Sequence, residues 1–242
     1  MAVGGHGTRC VAVGVILATA ALAAPPEPSQ NWNWCSGAEA IAFDRRIAAC
    51  TSIIEAGGEP PANLSRAYCS RGNAYQQIRD FGRAIVDYDE AVKLDPESYG
   101  SYLCRGNGYQ ARGQLDRAIT DYDHAIRLNP NVAAAFTGRG IAYRAKGDPD
   151  RAIADYTEAI RLDSEYAAAF NNRGFAYYVK RDYDRAIADY TEAIRLTPNF
   201  AAAYSGRALA YRAKGNLDRA NPDDLEVARL DPRFGVQTRR QQ

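Results

Sequence analysis

The sequence predicts an all-α protein, an α-solenoid of stacked helical hairpins. Three observations carry that expectation. A 34-residue period runs from Ser65 to Phe234. Large aromatic residues fall opposite Gly or Ala when each unit is folded into a hairpin. Residues that start and stop helices recur at fixed places in every unit. Self-similarity at such a period marks a repeat architecture in which each unit buries its apolar face against the next.

The period is read from several rows at once. Arg-Gly recurs at Arg71-Gly72, Arg105-Gly106, Arg139-Gly140 and Arg173-Gly174, with Arg207-Ala208 as the fifth. Tyr follows at Tyr75, Tyr109, Tyr143, Tyr177 and Tyr211. Ala recurs at Ala84, Ala118, Ala152, Ala186 and Ala220, then Tyr at Tyr88, Tyr122, Tyr156 and Tyr190, with Asp224 breaking the row. Let each unit be numbered 1–34 from Ser65, Tyr99, Ala133, Ala167 and Ala201. A turn near positions 15–16, where Gly113, Gly147 and Gly215 stand, sets position 4 against 27, 8 against 24 and 11 against 20. In the second unit these pairs are Tyr102–Ala125, Gly106–Tyr122 and Tyr109–Ala118. A ring against a small residue lets two helices approach without voids or clashes.

The helix ends agree. Asp148 precedes Pro149, a capping residue before a proline at the first helical position. Asp116, Asp150, Asp184 and Asp218 put acid into the first turn of each second helix, where the macrodipole favours it. Asn221-Pro222 falls inside the last expected helix, so a shorter helix restarting at Pro222 and running to Leu230 is expected there. Asp223, Asp224, Glu226 and Arg229 would give that end of the stack a polar face.

On these rows the sequence resembles the tetratricopeptide repeat family, in an exported bacterial form. The resemblance implies antiparallel helix pairs wound into a right-handed superhelix. Its organisation then runs in order. Residues 1–23 read as a secretory signal peptide, with the uncharged run Cys10 to Ala24 and a small-residue cleavage pattern at Ala21-Leu22-Ala23. The run is short for a bilayer, which needs about 20 apolar residues. Residues 24–34, with Pro25, Pro26 and Pro28, read as a flexible linker. Residues 35–64 read as a degenerate capping half-repeat, because Asp44 to Glu55 resembles the second helix Asp116 to Arg127. Repeats follow at 65–98, 99–132, 133–166, 167–200 and 201–234, the last with a degenerate second helix, and 235–242 is a tail.

Export would leave four cysteines, Cys35, Cys50, Cys69 and Cys104, in an oxidising compartment. A Cys35–Cys50 disulfide is expected. It closes a loop worth about 3 kcal/mol, and it requires the chain to reverse between Ser36 and Asp44 because a continuous helix would hold the two apart. Pairing of Cys69 with Cys104, on neighbouring first helices, is marginal and stays open.

Little here could carry chemistry. The net charge is +1, against a nucleic-acid footprint, although 26 of the 30 basic residues are Arg. Only His6 and His124 are present, so His-based metal sites and triads lack material. His124 is expected to be solvated. Asp121-Tyr122-Asp123 lies on a helix rather than a calcium loop. A group repeated five times at one position is scaffold, and no constellation breaks the symmetry, so neither an enzyme nor a cofactor nor a metal is expected. Arg71, Arg105, Arg139 and Arg173 each face their own acid, Asp87, Asp121, Asp155 and Asp189, and read as internal ion pairs rather than a ladder for anions.

What remains is a binding scaffold in the periplasm or outside the cell, with self-assembly in the envelope as the alternative. Family geometry turns positions 2, 5, 9, 12 and 13 of each first helix into a concave groove for a protein or peptide partner. That groove would hold Asn73, Gln76, Asn107, Gln110, Ile141, Arg144, Asn171, Phe175, Tyr178, Leu209 and Arg212. Its amides would pair with a peptide backbone, Phe175 and Tyr178 would take an apolar side chain, and Arg144 and Arg212 an acid. The cationic clamp by which some members hold a C-terminal carboxylate is not matched, since position 5 carries no cation and position 2 only Arg66.

Overall fold

A computed structural model describes residues 28–231. They form α1 Pro28–Ser36, α2 Phe43–Ala56, α3 Pro61–Gln77, α4 Phe81–Leu94, α5 Tyr99–Ala111 and α6 Leu115–Leu128. These are followed by α7 Ala133–Ala145, α8 Pro149–Leu162, α9 Ala167–Val179, α10 Tyr183–Leu196, α11 Ala201–Ala213 and α12 Leu217–Leu230, with no strand among the described residues. The expected signal segment and tail lie outside them. No described helix is long and apolar enough to cross a membrane.

Each helix packs on the next along the chain. The odd-numbered helices also touch one another in succession, from α1 to α11, while the even-numbered helices do not. The stack is therefore closest along its odd-numbered side, and that side is the inner curve.

Ring-against-glycine packing sets this spacing. A Cβ added to Gly72 would lie 2.6 Å from the Tyr88 ring, and one added to Gly106 would lie 2.9 Å from Tyr122. The ring also meets the following first helix, Gly108 for Tyr88 and Gly138 for Tyr122. One buried tyrosine thus fixes three helices, which is how a core can be continuous along a stack without a centre. The hairpin turns use a left-handed residue, with φ of 73° at Gly113, 81° at Gly147 and 77° at Gly215. Arg79 and Arg181 adopt the same conformation at 63° and 62°, where a Cβ is strained. Asp80, Asp148, Asp182 and Asn216 cap the second helices by accepting from the backbone N–H three residues on.

Four regions differ from the sequence reading. Residues 28–34, expected as linker, belong to α1, so the N-terminal cap is a helix pair rather than a half-repeat. Pro28 stands at the first helical position, where a missing N–H costs nothing. Trp32 and Trp34 pack on the Cys35–Cys50 cluster with Ala49, Ile53 and Ala67, and Trp32 Nε1 donates to Glu59 at 3.0 Å. Secondly, α12 runs unbroken through Pro222. The proline lies on the exposed face, so the carbonyl it leaves unpaired meets water, and Ala220 and Asp223 hold the buried face on either side. Thirdly, the far face of α12 is not uniformly polar: Leu217 is 59% and Leu225 73% exposed, while Asp223 is buried. Finally, His124 is half-buried and stacks on Tyr102, with ring centroids 4.9 Å apart.

Cys35 and Cys50 are joined by a disulfide, with Cα atoms 4.8 Å apart, across the reversal between α1 and α2. It occupies the place that ring-on-glycine contact holds in the next four pairs. Cys69 and Cys104 carry free thiols.

Candidate binding groove

The five position-7 arginines all point into the stack. Arg71, Arg105, Arg139, Arg173 and Arg207 each donate two hydrogen bonds to the acid sixteen residues on, Asp87, Asp121, Asp155, Asp189 and Asp223. The acids are buried and the guanidinium groups nearly so, and the fork geometry makes these charge-assisted bonds strong. Each arginine also reaches back to position 25 of the preceding pair. The acceptors there are Thr51, Asp89, Asp123, Thr157 and Thr191. The Arg–Asp row therefore ties repeat to repeat, and no arginine of it is free for a ligand.

The groove side is different in each half. In the first two repeats the buried Tyr88 and Tyr122 hydroxyls are satisfied by the groove amides. Tyr88 OH donates at 2.8 Å to Asn73 Oδ1, with Gln76 Oε1 at 3.1 Å. Tyr122 OH stands likewise at 2.8 Å from Asn107 and 2.9 Å from Gln110. One phenol has one proton, which the two amide oxygens of each pair share as acceptors. Four amides expected to grip a peptide backbone thus spend one end each on the scaffold.

The third repeat replaces both amides, with Ile141 and Arg144. Tyr156 OH is then fully buried beside Arg144, and neither it nor the buried Arg144 Nε makes a well-formed hydrogen bond. Burial pushes the Tyr156 phenol up to about 12, with Arg144 beside it pulling the other way, so the hydroxyl stays a neutral donor. Arg144 lies over the Phe175 ring at 4.8 Å, a cation–π contact. Tyr178 tilts against Phe175 and Tyr183 at 6.4 and 5.7 Å.

In the fifth repeat the row changes again. Asp224 takes the tyrosine position and forms an ion pair with Arg212. Arg212, expected to receive a ligand's acid, is therefore already paired. The two substitutions, twelve residues apart, answer each other.

Between these parts lies a cavity of about 540 Å³. Arg144, Asn171, Phe175 and Leu209 of the expected set line it, with Ser205 at another expected groove position; Asn172 and Asp231, outside the expected rows, join them. Tyr178 and Arg212 do not line it. Among the described residues no group of acids, cysteines or histidines is placed to hold a metal.

A tetratricopeptide repeat model matches residues 65–98 and 167–200, and a TPR repeat model matches 106–147 and 140–180. Among solved structures, MamA is 28% identical, covering 68% of this chain and 96% of its own, at a TM-score of 0.59. BtubC from P. vanneervenii is 22% identical over 81% of this chain and 93% of its own, at 0.68. YrrB, described as a TPR protein with an unusual peptide-binding site, is 20% identical over 80% of this chain and 99% of its own, at 0.57. No curated protein matches. The matched spans together cover more than half of the sequence, so the chain belongs to the tetratricopeptide repeat family.

Proposed function

We propose that the protein is an exported scaffold that holds an extended segment of a protein partner along its odd-numbered helices. The family is in general a non-enzymatic, protein-binding one, and no enzymatic family is indicated. The observation that carries the groove reading is the cavity at repeats three to five. An open, mostly apolar recess there is lined by Arg144, Asn171, Phe175 and Leu209. Aromatic and arginine anchors in such a recess usually dominate protein interfaces. YrrB is a precedent for peptide binding on this architecture, at an identity that carries the fold alone.

Phe175→Ala should weaken partner capture by about 1–3 kcal/mol without changing the melting temperature. Capture is read with crosslinked partner recovered from the envelope fraction. Full capture by Phe175→Ala, with loss in His124→Ala on the outer side, would move the site off the groove. Export rests on residues 1–23 and their apolar run. N-terminal sequencing of the protein from the periplasmic fraction should begin at Ala24.

A second reading, self-association, is favoured by the exposed Leu217 and Leu225 on α12. Light scattering across concentrations tests it: Leu225→Glu should abolish any concentration-dependent dimer.

A further inference from the structure

Within the groove reading, on which this step rests, we infer that the cavity selects an acidic side chain, Asp or Glu, next to an apolar one in the bound segment. Arg144 lines the cavity, and its Nε stands beside the fully buried Tyr156 OH with no well-formed hydrogen bond on either atom. A half-buried arginine beside an apolar cavity and without a counter-charge is best matched by a carboxylate, which takes two parallel hydrogen bonds. Among the described residues Arg144 has no ion pair, whereas the five scaffold arginines all have one.

The chain itself displays the missing partner. In the fifth repeat the position equivalent to Tyr156 is Asp224, and the position equivalent to Arg144 is Arg212, and these two are joined. The third repeat keeps the cation and lacks the acid. In the first two repeats the same place is closed by amides, so the specificity is local to Arg144. Because Asp224 offers a side-chain carboxylate, and no clamp for a chain end is present at positions 2 and 5, the acid is placed inside the segment rather than at its C-terminus. Phe175 and Leu209, both exposed toward the cavity, take the neighbouring apolar side chain.

The test uses the full chain and a positional-scanning library of fluorescein-labelled hexapeptides with both ends blocked, read by anisotropy. A parallel set has a free C-terminal carboxylate and no acidic side chain. The expected result is at least a tenfold preference for Asp or Glu over Asn or Gln at one position, beside Leu or Phe. Arg144→Gln should remove that preference and leave the apolar one, Arg144→Lys should retain part of it, and Arg212→Gln should leave it intact. Circular dichroism checks that each variant is folded. Three results would overturn the inference: acid-blind binding, a preference indifferent to Arg144, or a preference confined to the free carboxylate set. In those cases binding lost in Phe175→Ala would still leave the groove reading standing. Binding that ignores both Arg144 and Phe175, or no binding by any peptide, sinks both.

Discussion

The two halves of the groove share one scaffold and differ in what they leave unsatisfied. Repeats one and two close their buried tyrosines with Asn73, Gln76, Asn107 and Gln110. Repeat three leaves Tyr156 and Arg144 open, beside a cavity. The difference separates two jobs that a repeat array does with the same helices. Where a polar core group is matched from within, the surface is stable and has little to offer. Where it is not, stability is forgone and a binding capacity appears.

The largest expected effect is one that must not distinguish the halves. Arg105→Ala in the amide half and Arg173→Ala in the other each leave a buried aspartate uncompensated. Each should cost about 3–5 kcal/mol by urea denaturation. Unequal losses would mean the scaffold itself is asymmetric, and the comparison would fail. Next is the disulfide, worth about 3 kcal/mol for a loop of this length. Cys35→Ser with Cys50→Ser should raise hydrogen exchange in α1 to α3 and leave α9 to α11 nearly unchanged, because contacts are nearest-neighbour. Equal loosening at both ends would contradict that locality.

A smaller effect addresses the difference directly. Tyr122→Phe strips the amides of their partner and should cost about 1–2 kcal/mol, while Tyr156→Phe removes a hydroxyl that has none and should cost about zero. Equal costs would show that Tyr156 is matched after all, by water or by Arg144. The smallest effect again tests sameness: Arg79→Gly and Arg181→Gly each relieve a left-handed backbone and should stabilise by about 0.5 kcal/mol after glycine's own entropy cost. A destabilisation at either turn would mean its arginine side chain matters more than its backbone.

The fold was legible because its information is written five times. Gly72, Gly106, Gly140 and Gly174 opposite Tyr88, Tyr122, Tyr156 and Tyr190 could be paired from spacing alone. The helix of residues 28–36 was not, because Pro25, Pro26 and Pro28 read as a breaker while Pro28 starts the helix, and only the packing of Trp32 reveals it. The unbroken α12 was hidden for a related reason: whether a proline interrupts a helix depends on which face it occupies. In the groove, Phe175 and Arg144 were found because the family's geometry turns positions 9 and 12 inward, in rows that vary from repeat to repeat. The engagement of the amides was missed, although a signal existed: Asn and Gln stand 15 and 12 residues before Tyr88 and Tyr122, and both vanish before Tyr156. Likewise Arg212 looked available until Asp224 was seen as its partner. A residue's type does not tell whether its hydrogen bonds are already spent.

The backward reach of the position-7 arginines gives the array a direction in time. A ribosome releases the N-terminal repeats first. Each emerging repeat brings an arginine whose own aspartate follows sixteen residues later, and whose other acceptor, such as Thr51 or Asp89, is already in place on the finished part. A nascent chain halted after any complete repeat thus carries no orphaned guanidinium, only a surface hydroxyl or carboxylate waiting at its growing edge. Synthesis in the opposite order would leave the Nη1 of each arginine unanswered at every step, with only its own aspartate in place. The stack is suited to assembly as it is made, and each repeat can lock its predecessor before its successor exists.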